Sequence, residues 1–283
     1  MDAVELRARV ADIGWHHRID LGSGVVTPGG SCRDIPLNDT MPDFDGRSVL
    51  DIGCWDGYYS FLAERRGAAR VVALDHYAWC VDLAAREEYW RQCAAAGVLP
   101  DHERDETDFH RPEMPGRRAF DFARQVLQSA VEPMVGDFMK VDLEALGRFD
   151  VVLYLGVLYH MREPLTALQR VRRSTRGVAV IETVGIDVPE RAAEPLLSFF
   201  AGNELSGDYG NWYATSETAL HGLCRAAGFT RVETVVGPPP LPPPPSSLRR
   251  VARAARAAQL RLANREPEVA GTRHYRLVVH ARP

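Results

Sequence analysis

The sequence predicts an open α/β sheet of seven mostly parallel strands, with an antiparallel last strand and helices on both faces. Two observations carry this. Short apolar, β-branched runs alternate with helical patterns along most of the chain, as a parallel sheet with crossover helices requires. The last two strand runs follow one another with only a proline-rich insert between them, which fits a closing hairpin. A chain of 283 residues, 46% hydrophobic, is long enough to bury such a sheet as one large domain.

Residues 1–44 open with an amphipathic stretch and continue into GWHHRIDLGSGVVTPGG, a segment rich in glycine that is expected to cap or cover a site. The strand runs are then RSVLDIG (47–53), ARVVALD (69–75), VEPMVGD (131–137), FDVVLYLG (149–156), RGVAVIETV (176–184), TRVETVV (230–236) and HYRLVVHAR (274–282). The helix patterns between them are YYSFLAERRG, with Gly67 as its stop, then CVDLAAREEYWRQCAAAG, AFDFARQVLQSA, EPLTALQRVRRST and SETALHGLCRAAG. Residues 100–118 are polar, contain proline and lack periodicity, so they are expected to form a surface loop. The stretch GPPPLPPPPSS resembles a linker, yet only one helix pattern and one strand follow it, too little for an independent core. Residues 238–270 therefore read as an insertion in the final hairpin of a single domain spanning 45–283.

Composition narrows the function. The net charge of −4 provides no global field toward nucleic acid or an anionic membrane. Five scattered cysteines with no CxxC pair argue against a disulfide framework and a zinc site, so reduced, buried thiols and no metal are expected. The N-terminal stretch has no apolar core of a signal peptide, and no run of eighteen apolar residues occurs. A cytoplasmic protein without a membrane span is expected.

The turn after the first strand is the informative one. A strand end, a glycine turn and a helix N-terminus suit the polar part of a nucleotide-like ligand. A dinucleotide turn would need G-x-G-x-x-G, but here the pattern is D-x-G-x-x-x-G: Asp51, Gly53 and Gly57, with Trp55 where a second glycine would stand. Trp55 would crowd a pyrophosphate. Asp51 would repel one and would favour an ammonium or a sulfonium, which points to S-adenosylmethionine. Asp75, ending the second strand, is placed to meet ribose hydroxyls.

On these residues the chain resembles the class I S-adenosylmethionine-dependent methyltransferases, with their Rossmann-like sheet, over residues 45–237 and the last strand. The resemblance implies that Asp51, Gly53 and Gly57 hold the methionine part, that Asp75 holds the ribose, and that Asp137 meets the adenine with Phe138 beside the ring. Trp55, His76 and Gly156, on the same strand ends, complete the implied cofactor set; Trp55 and His76 depart from the family pattern. FDVVLYLGVLYHMREPLTALQRV and GNWYATSETALHGLCRAAGF further resemble the branch containing the bacterial tRNA wobble-uridine carboxymethyltransferase, where the tyrosine at Tyr159 helps hold the extra carboxylate of a carboxylated cofactor. Carboxylate binding needs cations, and Lys140, the sole lysine, lies just after the adenine motif. Plain methyl transfer is the preferred expectation.

Methyl transfer needs collinear placement, exclusion of water and removal of the acceptor's proton. His16 and His17 in the covering segment, His160 after the fourth strand, Tyr159 and Glu182 are the candidates for proton handling or steering. His160 equally fits a loop-fixing role, and Glu182 a structural one. Trp212 and Tyr213 are candidates for an aromatic acceptor wall, just ahead of Ser216, a plausible helix cap. The arginines at 249, 250, 253, 256 and 261 form the one basic patch, but alanine and leucine interleave them as in a packing helix. The expected reaction is transfer to an oxygen or nitrogen of a small molecule, as in natural product biosynthesis. A tRNA base and a non-catalytic cofactor-binding protein are the competing readings.

Overall fold

The computed structural model describes residues 2–30, 37–240 and 272–283. Cys32, the insertion from residue 241 onward and the arginine-rich segment lie outside them.

All seven expected strands form. They are β1 (Ser48–Ile52), β2 (Arg70–Asp75), β3 (Glu132–Val135), β4 (Phe149–Leu155), β5 (Thr175–Asp187), β8 (Arg231–Val236) and β9 (Arg273–Arg282), joined by two short strands, β6 (Leu197–Phe199) and β7 (Tyr213–Thr215). The parallel order is β3-β2-β1-β4-β5. β9 then runs antiparallel to β5 and pairs with β8. β6 and β7 carry no periodic signal because each is three residues long. They form a hairpin that touches β5 at Gly185, beyond the last β4 pairing at Glu182, so the hairpin sits past the C-terminal end of β4.

Alternation along the strands explains the two helical layers. Val49, Val71, Val151, Leu153 and Val180 point to one face, packing with Phe61, Ala63, Phe120 and Ala123. Leu50, Val72, Val152, Tyr154 and Ile181 point to the other, packing with Leu168, Val171, Leu220 and Cys224. The helices Tyr58–Arg65 and Arg118–Leu127 supply the first set; Pro164–Ser174 and Glu217–Ala226 supply the second. The expected stops and caps are visible: Gly67 has φ +87 just past the first of these helices, and the Ser216 hydroxyl accepts from Ala219 N–H at 3.2 Å.

The N-terminal segment shares this core. Leu6 and Val10 of the helix Ala3–Ala11, with Ile19, Leu21, Val25, Leu37 and Phe44, belong to the same cluster as β1. Residues 100–118 differ from the expected loop: they hold a helix, His102–Thr107, and a turn at Pro115–Arg117. Asp101 caps that helix by accepting from Glu103 N–H at 3.0 Å, a local signal that a search for apolar periodicity passes over. Cys54, Cys80, Cys93 and Cys224 are free and buried. Among the described residues no helix is long and apolar enough to cross a membrane.

Candidate active site

The C-terminal ends of β1, β2 and β4 converge, and the turn after β1 is held there by the end of β2. Gly53 N–H donates to the Leu74 carbonyl at 2.8 Å, and Trp55 N–H to Asp75 Oδ2 at 2.8 Å. The turn has positive φ at Gly53 (+73), Trp55 (+53) and Gly57 (+85). Glycine suits the first for a second reason: a Cβ there would sit 2.6 Å from Val157 Cγ2. Trp55, in a conformation side chains seldom adopt, is held by two further contacts: its carbonyl accepts from Trp79 Nε1 at 2.6 Å, and its ring stacks on His16 at 3.9 Å.

Asp51 is buried, with the Ser60 hydroxyl donating to Oδ2 at 2.6 Å. Burial pushes its pKa up to about 6, against the Ser60 hydrogen bond and the attraction of His17. A buried carboxylate that resists ionisation in the empty fold is what a bound cation would relieve. Asp75 is likewise buried and raised to about 6, although Trp55, Ala78 and neighbouring backbone N–H groups oppose the rise. Both of its oxygens already serve the main chain, Oδ2 for Trp55 and Oδ1 for Ala78 N–H at 2.9 Å, so any ribose bond would add to a structural duty. Asp137 Oδ1 accepts from Met139 N–H at 2.8 Å and Oδ2 pairs with Lys140 at 3.0 Å. Phe138 does not line the edge as expected. Its ring is buried in the core, packed on Tyr154 at 5.6 Å with the Arg170 guanidinium over it.

His16 and His17 are brought to the same turn by Asp56, a fully buried residue that the sequence reading passed over. Asp56 Oδ2 accepts from His16 N–H at 2.9 Å and His17 N–H at 2.8 Å, and Oδ1 pairs with His17 Nδ1. Gly29 lies so close against the His16 and His17 main chain that a Cβ would collide with it. Burial of Asp56 would raise its pKa, but the hydrogen bond and charge of His17 hold it below the ordinary value. Burial drops His16 to about 4, so it is neutral near pH 7. His16 and Trp55, with Ile13, Leu83 and Pro115, line a cleft of about 410 Å³.

A second cluster stands past β4. Gly156 (φ +71) faces the Tyr159 hydroxyl, Arg276 and Glu182, each within 4 Å of where its Cβ would be. Arg276 forms a bidentate pair with Glu182 and hydrogen-bonds Tyr159. The pairing follows from register: Glu182 is opposite Val278 and Arg276 opposite Val184, which places them diagonally on one face. Glu182 is thus committed to a cation rather than available as a base. The sequence reading weighed only Lys140 as a cation for this site; the structure places Arg276, from the last strand, beside Tyr159. His160 Nδ1 donates to the Gly210 carbonyl at 2.9 Å, which fixes the loop, and burial lowers its pKa. Trp212 N–H donates to the Tyr159 carbonyl at 2.8 Å, so residues 210–212 lie along the Tyr159 turn. The Trp212 ring meets Phe199 at 6.3 Å and His102 at 4.6 Å, and Tyr213 hydroxyl donates to the Arg162 carbonyl at 3.3 Å. Phe199 is 59% exposed, so this aromatic group faces solvent.

Comparison with known proteins places the fold. Residues 32–234 match a family model described as a methyltransferase domain. The tRNA U34 carboxymethyltransferase of Alteromonas mediterranea is 25% identical over 194 residues, 67% of this chain and 47% of that protein. The protein of the same name from Azotobacter vinelandii is 27% identical over 204 residues, 68% of this chain and 48% of that one. The chain thus spans about half the length of the curated relatives it matches. In structure, the N-terminal domain of EvdMO1, crystallised in the presence of SAH and D-fucose, superposes with a TM-score of 0.59 at 18% identity, covering 100% of this chain and 97% of that one. The chain belongs to the methyltransferase domain family and has the class I, Rossmann-like fold.

Proposed function

We propose that this domain transfers a methyl group to an oxygen or nitrogen of a small acceptor, with Asp51, Gly53, Gly156 and Asp75 holding the cofactor. The observation that carries the cofactor end is Asp51: a buried anion whose pKa is raised to about 6 is complementary to the cofactor's ammonium. S-adenosylmethionine, when bound, supplies an electrophilic methyl carbon on a sulfonium. The chain's part is to orient, to exclude water and to take a proton. Positioning of that kind accounts for about 7–11 kcal/mol in well-oriented reactions.

For the proton, His17 is the candidate the geometry favours. A buried carboxylate on Nδ1 fixes the tautomer in which Nε2 is the accepting nitrogen, and supports the imidazolium that forms. His16 is too weak a base near pH 4, His160 is spent on Gly210, and Glu182 on Arg276. Trp212, Phe199 and His102 form the wall for a planar acceptor. Native mass spectrometry of the purified protein, followed by titration with S-adenosylmethionine and total tRNA, tests the reading. Retained S-adenosylmethionine or S-adenosylhomocysteine without tRNA association supports it; salt-sensitive tRNA association refutes it.

One observation favours carboxymethyl transfer to tRNA as a second reading: Arg276 stands against Tyr159 at the cofactor edge, where a carboxylated cofactor needs a cation. Glu182 neutralises that arginine, which is why plain methyl transfer is preferred. A retained cofactor heavier by one carboxylate would reverse the order.

A further inference from the structure

We infer that His76, Cys80 and His110 form a binding site for a zinc-class divalent cation beside the end of β2. One imidazole nitrogen from each histidine and the Cys80 sulfur lie within 4.8 Å of one another. This cluster stands apart from the residues given roles in proton transfer. It also departs from the expectation of no metal, because its ligands are four and thirty residues apart and form no CxxC pair.

The backbone preorganises all three. Tyr77–Cys80 is a single helical turn, with Cys80 N–H donating to the His76 carbonyl at 2.8 Å, so positions 76 and 80 share a face. His110 is delivered by an antiparallel bridge to Val81, flanked by Asp82 N–H on the Phe109 carbonyl (2.8 Å) and Arg111 N–H on the Cys80 carbonyl (2.7 Å). The two imidazoles already stack at 5.1 Å. Tetrahedral zinc with Zn–N near 2.0 Å and Zn–S near 2.3 Å needs donor separations of roughly 3.3–3.8 Å, so the three side chains would close by about 1 Å. Two histidines and a thiolate leave a fourth position for water, and a soft thiolate with imidazoles selects zinc-class ions over magnesium or calcium.

The surroundings suit a dication. Asp75 acts on Cys80 and Asp137 on His76, against Arg117 and Lys140. The cation would release the thiol proton to solvent as the sulfur bonds to metal. Its structural effect would be to staple the segment at 108–111 to the strand that ends in Asp75.

The test uses untagged protein stripped with chelator, then titrated separately with Zn2+ and Co2+. The expected result is one equivalent bound with micromolar or tighter affinity, a rise in Tm, and with Co2+ a thiolate charge-transfer band together with the visible bands of tetrahedral geometry. Cys80→Ser should abolish the charge-transfer band, and His110→Ala should weaken binding at least tenfold. Should the Cys80 variant misfold by circular dichroism, the His110 variant and the wild-type cobalt spectrum decide. A wild-type cobalt spectrum without the thiolate band overturns the inference. So does unchanged stoichiometry and affinity in His110→Ala, which would mark the ion as adventitious.

Discussion

Replacing Asp51 with asparagine should move stability and cofactor affinity in opposite directions. Asp51 rises from the ordinary 3.8 to about 6 in the fold, chiefly because burial disfavours its charge. At 1.36 kcal/mol per pH unit, holding it ionised in the empty protein costs about 3 kcal/mol. The sign follows from linkage. The folded state binds more protons than the unfolded one between pH 3.8 and 6, so apo stability falls as pH rises through that window, and the full cost is present above it. Asparagine keeps an acceptor for the Ser60 hydroxyl and removes the charge, so urea denaturation of the apo protein at pH 8 should show a gain of up to about 3 kcal/mol, shrinking toward zero near pH 4. The same change removes the partner of the cofactor's ammonium. A hydrogen bond to a charged group contributes about 1.5–3 kcal/mol, so calorimetry with S-adenosylhomocysteine at pH 8 should show roughly 10- to 150-fold weaker binding. Wild-type affinity should also fall as pH drops below about 6, because protonated Asp51 competes with the cation. A variant that is less stable at pH 8, or one that binds S-adenosylhomocysteine unchanged, would refute the reasoning.

Asp75→Ala should weaken cofactor binding by about 1–3 kcal/mol and also lower stability, since Trp55 and Ala78 N–H groups lose their acceptor; calorimetry with denaturation reads both, and intact affinity would remove Asp75 from the cofactor site. Asp56→Ala strands two backbone N–H groups and the His17 ring in the interior and should cost about 3–5 kcal/mol in urea denaturation. Asp56→Asn, the milder change, should shift the pH profile of turnover if His17 takes the proton; an unmoved profile leaves positioning as the mechanism. Glu182→Gln alone should destabilise by about 3–5 kcal/mol by removing the carboxylate charge that balances Arg276, whereas Glu182→Leu combined with Arg276→Met should be near neutral. Trp212→Ala should raise the acceptor KM about 30-fold, equivalent to about 2 kcal/mol, with kcat held; an unchanged KM would take the aromatic wall out of the acceptor site.

What the sequence made legible was everything that repeats within one element. β1, β2, β4 and β5 are apolar runs buried on both faces, and the helix Pro164–Ser174 shows its stripe at Ala167, Leu168 and Val171. The turn between β1 and the next helix was readable because Asp51, Gly53 and Gly57 are adjacent in the chain. Phe138 was misplaced because the residue after a strand can turn in or out, and an aromatic ring gains more from Tyr154 and the core than from an open edge. β6 and β7 were invisible because three residues hold no period.

The partners that give the site its chemistry come from elsewhere in the chain. Asp56 reaches 39 residues back to His17, Arg276 reaches 94 back to Glu182, and Trp212 is tied to Tyr159 across 53 residues of loop and hairpin. In the first two pairs one member looks functional by itself and the other looks like surface. A histidine alone suggests a base, and only the buried carboxylate behind it says which tautomer is held. A strand-end glutamate alone suggests the same, and the arginine across the hairpin turns it into a neutralised pair. Whether His17 and Glu182 can accept a proton is thus decided by these long-range partners. That is why Asp51, a buried carboxylate at the strand ends that among the described residues is bonded by Ser60 and by no arginine or lysine, is where cofactor charge has the most to relieve.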